Sequence, residues 1–202
     1  MSDPTRLALD VSELAEYGFG HRSMLWWATF CMIAIEGTMF ALVIASYIYL
    51  KGRSPQWPPA VAPPRLLWGT LNLAILVASA APNALAKKAA ERFSLRGVRL
   101  WMSVCMLFAL AFNIVRFIEF SALNVRWDEN AYGSVVWTLL GFHTVHVVTD
   151  FLDSGVLTAL LFAGPVDEHR FIDVSENAMY WYFVVLAWIP VYAVIYLAPR
   201  IV

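Results

Sequence analysis

Six ionisable side chains stand inside otherwise apolar stretches of this chain: Glu36, Arg116, Glu119, His143, His146 and Asp150. Groups of this kind are costly in hydrocarbon and mark bundle interiors, water-filled cavities or proton routes. His143 and His146 are three residues apart, so on a helix they share a face. Two chemistries suit such a pair: metal or haem ligation, and hydrogen bonding within a bundle. Zinc and di-iron sites need further ligands from facing helices, and a bis-His haem needs a second His across the bundle. The other histidines, His21 and His169, fall outside the apolar runs. Cys31 and Cys105 are isolated, without C-x-x-C spacing. Internal hydrogen bonding is therefore the expected role of both imidazoles. Asp150, four residues after His146, is one candidate partner. Arg116 and Glu119 are also three apart, and a local salt bridge near the outer interface is expected. No catalytic, cofactor or metal residue is expected in this chain.

The elements that must carry these residues follow from composition. Of 202 residues, 60% are apolar and 14% charged, with nine Trp. Ordinary globular chains run at about 45–50% and about 25%. Mean hydropathy is +0.64. This is the composition of an integral membrane protein and excludes disordered, fibrous and disulfide-stapled classes. A net charge of −1 offers no field for nucleic acid.

A helix needs about 20 apolar residues to span a bilayer. Five runs qualify: Met24–Leu50, Leu66–Ala86, Val98–Ala122, Gly133–Ala163 and Ala178–Ala198. They are continuous rather than alternating, which favours helices over barrel strands. The predicted fold is all-α, a bundle of five transmembrane helices. Residues 24–202 form this domain, and residues 1–23 an N-terminal cytoplasmic or interfacial segment. Asp3, Arg6, Asp10, Glu13 and Glu16 are the wrong chemistry there for a signal peptide. Lys51–Arg65, with Pro55, Pro58, Pro59, Pro63 and Pro64, reads as a stiff surface loop. Lys87–Gly97 reads as a basic loop, and Asn124–Tyr132 and Pro165–Asn177 as polar turns. Ser175 before Glu176 is the expected N-cap of the last helix.

Basic residues set the orientation. Arg6, Arg22, Lys87, Lys88, Arg92, Arg96, Arg99 and Arg170 lie on one side; Lys51, Arg53, Arg65, Arg126 and Arg200 lie on the other. The N-terminus is expected inside. Arg22, Trp26, Trp27 and Trp68 suit the headgroup boundary and are candidate lipid contacts. Glu36 then lies about 16 Å from the inner start of its span, and His146 about 20 Å from the outer start of its own. Both fall in one central slab. A mid-membrane carboxyl is expected to prefer its neutral form. His143 or His146 is its expected partner, provided the first and fourth helices are neighbours.

The order and spacing of several motifs resemble a known family, subunit III of the haem–copper cytochrome c oxidases. Ile35-Glu36-Gly37-Thr38-Met39-Phe40 resembles its helix with a buried glutamate, and Gln56-Trp57-Pro58-Pro59 its Trp-Pro-Pro loop. Glu119-Phe120 resembles the glutamate–aromatic pair that closes a helix. Tyr132-Gly133-Ser134, followed by Gly141-Phe142-His143-Thr144-Val145-His146-Val147, matches its most distinctive segment. Ser175-Glu176-Asn177-Ala178-Met179-Tyr180-Trp181-Tyr182 resembles the opening of its last helix. The common form has seven helices, and this chain is similar to the shorter form lacking the first two. Tyr182 and Val185 stand where the family usually has His and Asp, and Asp150 is an extra acid.

The resemblance implies an accessory subunit without its own haem or copper. Such a subunit packs on subunit I alongside subunit II, within a respiratory complex or larger supercomplex in the bacterial inner membrane. It implies phospholipid held in a helix cleft, and support of proton uptake and turnover stability. Glu36 corresponds to the family's carbodiimide-reactive carboxyl. Glu36, His143, His146, Glu119, Asp150 and Glu176 form the expected buried polar, proton-related set. Three alternatives stay open: the related partner of a nitric oxide reductase, a stand-alone proton channel or small transporter, and a structural scaffold.

Overall fold

The computed structural model describes residues 17–59 and 61–201. Most of the expected N-terminal segment, residues 1–16, lies outside the described residues, so that expectation is untouched. The described chain folds into helices α1 (Met24–Arg53), α2 (Leu66–Glu91), α3 (Leu95–Ser121), α4 (Ala131–Ala163) and α5 (Glu168–Tyr192). α5 continues through a π-helical turn, Ala193–Leu197, into a 3₁₀ turn, Ala198–Arg200. All five helices are long and apolar enough to cross a membrane. The chain is a multi-pass membrane protein.

Local chemistry sets the helix ends. The Ser23 hydroxyl accepts from the Leu25 amide at 3.2 Å, and the Asn130 side chain from Gly133 at 2.8 Å. Both satisfy amides that an N-terminus leaves without intrahelical partners.

Three boundaries differ from the sequence reading. The last helix starts at Glu168, not near Ala178, and Ser175 and Glu176 lie inside it. Asp167 is the true N-cap, accepting from Arg170 N at 3.4 Å, and Arg170 pairs with Asp173 at 3.4 Å. The early turns are amphipathic, with Phe171, Ile172 and Val174 buried. Hydropathy alone discards such turns, although their backbone is helical. For the same reason the expected basic loop shrinks to Arg92–Ser94, because Lys87 and Lys88 belong to the last turns of α2. Phe93 takes φ 51° there, and Ser94 N donates to Ala89 O at 2.9 Å. Third, the proline-rich loop begins at Ser54 and is not wholly at the surface. Pro58 is buried, and the Trp57 ring sits 5.3 Å from Tyr47 and 5.2 Å from Tyr132. Aromatic burial outweighs the exposure that proline content suggests.

Packing is uneven. α2 and α3 form the closest pair, α2 also packs on α5, and α4 bridges α3 and α5. α1 touches α4 and α5 along one side, with only Phe40 and Tyr47 buried. Gly133 allows α4 to start beneath the preceding turn, because a Cβ there would strike the Arg126 carbonyl. Gly141, on the same helix, has nothing within 4 Å of its Cβ position. Gly133→Ala should therefore destabilise by about 1–3 kcal/mol through overpacking, whereas Gly141→Ala should be tolerated. Thermal unfolding of both variants in detergent measures the difference.

Candidate functional site

The polar groups of the spans separate into two sites that meet at α4; Glu36 and His146, expected among the buried set, are only half-buried because α1 leaves one side of them open. The first is centred on Arg116 and Glu119 of α3, which are 1% and 2% exposed. Arg116 Nη1 lies 2.9 Å from Glu119 Oε2. The pair forms the local i,i+3 bridge the sequence placed near the end of this span, two residues before α3 ends at Ser121. It is also buried, because other helices supply further partners. Asn72 of α2 donates to Glu119 Oε2, and the Tyr196 hydroxyl beyond α5 donates to Oε1. Gly69 makes room for that tyrosine, since a Cβ there would collide with its ring. The Arg116 guanidinium stacks 4.0 Å over Trp188 and 4.8 Å over Phe112. Such faces attract a cation, most strongly when water is excluded.

His143 joins this site and not Glu36. Its Nε2 lies 3.0 Å from the Val184 carbonyl, and its Nδ1 lies 3.4 Å from Arg116 Nη2. A carbonyl only accepts and a guanidinium only donates, so Nε2 carries the proton and Nδ1 accepts. That is a neutral imidazole with both nitrogens engaged.

The second site faces the cleft between α1, α4 and α5. Glu36 receives a hydrogen bond from the Tyr180 hydroxyl at 2.9 Å, and His146 Nε2 lies 3.6 Å away. α1 and α4 are neighbours as expected, and His146 is the imidazole at Glu36. Asp150 does not bond His146, whose Nδ1 turns to the Phe142 carbonyl one turn back. Asp150 is 3% exposed, and its Oδ2 has no hydrogen-bond partner among the described residues. Glu176 is also buried, with Oε2 unpartnered in the same sense. Among the described residues no group of three or more His, Cys, Asp or Glu could hold a metal ion.

Tyr180, Tyr196, Asn72 and Trp188 escaped the sequence reading. Asn72, Ser79 and Asn83 did carry a signal, recurring at helical spacing in a charge-free run. All three are buried: Ser79 accepts from Trp181 Nε1 at 2.9 Å, and Asn83 donates to the Ala178 carbonyl at 2.9 Å. The expected lipid contacts divide. Arg22, Trp26 and Trp27 gather at the start of α1, with Trp26 stacked on Phe30, whereas Trp68 lies at the start of α2, at the opposite end of the bundle. Tyr182 is half-buried and Val185 buried.

Comparison with known proteins adds to this geometry. The family model for cytochrome c oxidase subunit III matches residues 19–199. A cytochrome c oxidase subunit 3 from Thermostichus vulcanus is 26% identical, over 82% of this chain and 83% of its own length. A probable cytochrome c oxidase subunit 3 from Mycobacterium bovis is 29% identical, over 83% and 85%. One from Synechocystis is 24% identical, over 88% and 77%.

Two outcomes follow from the site. Removing one member of the Arg116–Glu119 pair should cost about 3–5 kcal/mol, because a buried charge is left alone. The double variant Arg116→Met, Glu119→Leu should cost less than the two single changes added together. Unfolding by detergent titration measures both. At the second site, Glu36→Gln should keep the fold because the amide still accepts from Tyr180. Glu36→Ala should cost about 1–3 kcal/mol through a cavity and an unpaired hydroxyl, read in the same titration.

Proposed function

As the chain belongs to the cytochrome c oxidase subunit III family, we propose that it is an accessory subunit of a respiratory haem–copper oxidase, packing on subunit I in a complex that includes subunit II. The family match over residues 19–199 carries this reading. Haem and copper belong to the partner subunits. Four contacts support that assignment: His143 is held between Val184 and Arg116, and His146 between Phe142 and Glu36, so both imidazoles are engaged within the chain.

The contribution to the complex is structural and proton-related. Glu36, Asp150 and Glu176 line a cleft, with His146 beside Glu36, while Glu119 and His143 lock the helices beside it. The cytoplasmic placement of the N-terminus follows the excess of Lys and Arg on that side. Arg22, Trp26 and Trp27 hold phospholipid at that interface, and Trp68 does so at the other. Aromatic rings and a guanidinium at a helix end match the headgroup boundary in chemistry.

Affinity isolation of the tagged chain from its native membrane should bring down a haem-bearing partner with an oxidase spectrum. The subunit separated from that complex should be colourless. A Soret band on the separated subunit, or isolation without any haem protein, overturns the assignment. Native mass spectrometry of the complex should show retained phospholipid, reduced in Trp26→Ala, Trp27→Ala.

A further inference from the structure

A phenylalanine stands where the end of α2 favours glycine. Phe93 N donates to the Ala90 carbonyl at 2.9 Å and Ser94 N to the Ala89 carbonyl at 2.9 Å. These are the paired bonds of a Schellman cap, whose left-handed residue is usually Gly. Here that residue is Phe93, at φ 51°. A bulky side chain in this region is an outlier that persists only where its surroundings hold it. The Phe93 ring is half exposed and is held edge-on by two others, Phe171 at 5.3 Å and Phe19 at 5.7 Å.

Phe171 belongs to α5, and Phe19 to the chain that leads into α1. Tyr17 lies edge-on to His169 at 4.4 Å. The chain before Tyr17 therefore departs from between the Arg92–Ser94 turn and the start of α5. These two sides differ in charge. The start of α5 presents Asp167 and Glu168, both exposed. Residues 87–97 hold Lys87, Lys88, Arg92 and Arg96 against Glu91. Lys88, Arg92 and Arg96 are exposed, and none is in an ion pair among the described residues.

Residues 1–16 have the opposite balance, with Asp3, Asp10, Glu13 and Glu16 against Arg6. Glu16 is three residues from Phe19, about 10 Å of extended chain, and Glu13 is six, about 20 Å. A tether this short gives these acids an effective concentration on the order of mM at the turn that Phe19 already touches. Asp167 and Glu168 repel them from the other side.

We propose that the Arg92–Ser94 turn is the docking surface for the chain's own residues 10–16. Phe19 on Phe93 is the fixed end, and Lys88, Arg92 and Arg96 meet Asp10, Glu13 and Glu16. The contact ties α1, which packs chiefly on α4 and α5, to the α2–α3 pair. It is independent of the oxidase partners, because both halves belong to this chain.

The test uses the intact complex in opened native membranes, treated with a water-soluble carbodiimide that joins amines to carboxyl groups in contact. Linked peptides are mapped by mass spectrometry in the unaltered chain, where Lys88 supplies the amine, and in Arg92→Lys and Arg96→Lys, which keep the charge. Links to Asp10, Glu13 or Glu16 are expected an order of magnitude above links to Asp167 or Glu168. About 0.5 M salt should reduce them several-fold by screening. Cleavage after Glu13 and Glu16 by glutamyl endopeptidase should be several-fold faster in Phe93→Gly, which suits the left-handed cap and removes only the ring. Equal cleavage in both chains overturns the proposal. So do links mainly to acids of another subunit, since a partner would then hold the turn. No link from any of the three amines also overturns it. Loss of anionic phospholipid from Lys88→Gln, Arg92→Gln, Arg96→Gln in native mass spectrometry would then assign the turn to lipid headgroups. If Phe93→Gly fails to assemble, the links of the unaltered chain decide.

Discussion

A guanidinium and a carboxylate buried at 1% and 2% exposure impose more on this bundle than any other contact. Taking two charges from water costs several kcal/mol each, and their mutual attraction offsets that only when the remaining donors and acceptors are also met. One helix cannot meet them. Asn72 comes from α2, His143 from α4, Trp188 from α5 and Tyr196 from the turn beyond it. The pair therefore fixes four segments relative to one another. Apolar packing in a membrane is poor at this, because lipid tails are as apolar as the side chains they compete with.

The π-helical turn at Ala193–Leu197 belongs to the same constraint. A widened turn shifts the phase of the helix after it, and Tyr196 lies inside that turn with its hydroxyl on Glu119. The end of the chain is held in turn by Lys51 Nζ, which donates to the Ala198 carbonyl at 2.8 Å and to Ile201 at 3.1 Å. A contact between α1 and the last turns thus closes the bundle at the end opposite the cleft mouth.

α1 stands apart from the tightly packed helices, and this separation makes the cleft. Had α1 packed as closely as α2 does on α3, Glu36 would be sealed in the core and would need a full set of fixed partners. Because α1 packs chiefly on α4 and α5, Glu36 is met by Tyr180 and His146 on one side and by open volume on the other. Two polar sites with different demands coexist on α4 for this reason. His143 is committed to fixed partners, while His146, three residues on, lies 3.6 Å from Glu36, which lines the cleft.

The residue types and their spacing determined the class of the protein, the number of helices and the identity of most buried ionisable groups. Charges in long apolar runs are too costly to be placed idly, so Glu36, Arg116, Glu119, His143, His146 and Asp150 were conspicuous in one dimension. Motif order carried the family resemblance, which the match over residues 19–199 bears out. Helix rise alone brought Glu36 and His146 to one depth. Partner choice was a different matter. His143 and His146 share a helix face and were equal candidates for Glu36, and only the rotation of α4 between α3 and α1 sent one to Arg116 and the other to Glu36. The start of α5 was hidden because its first turns are amphipathic, and amphipathic helix reads as loop to a hydropathy window. Tyr180 and Tyr196 were hidden for a further reason: a tyrosine hydroxyl in an apolar run declares no partner until another helix presents a carboxylate to it.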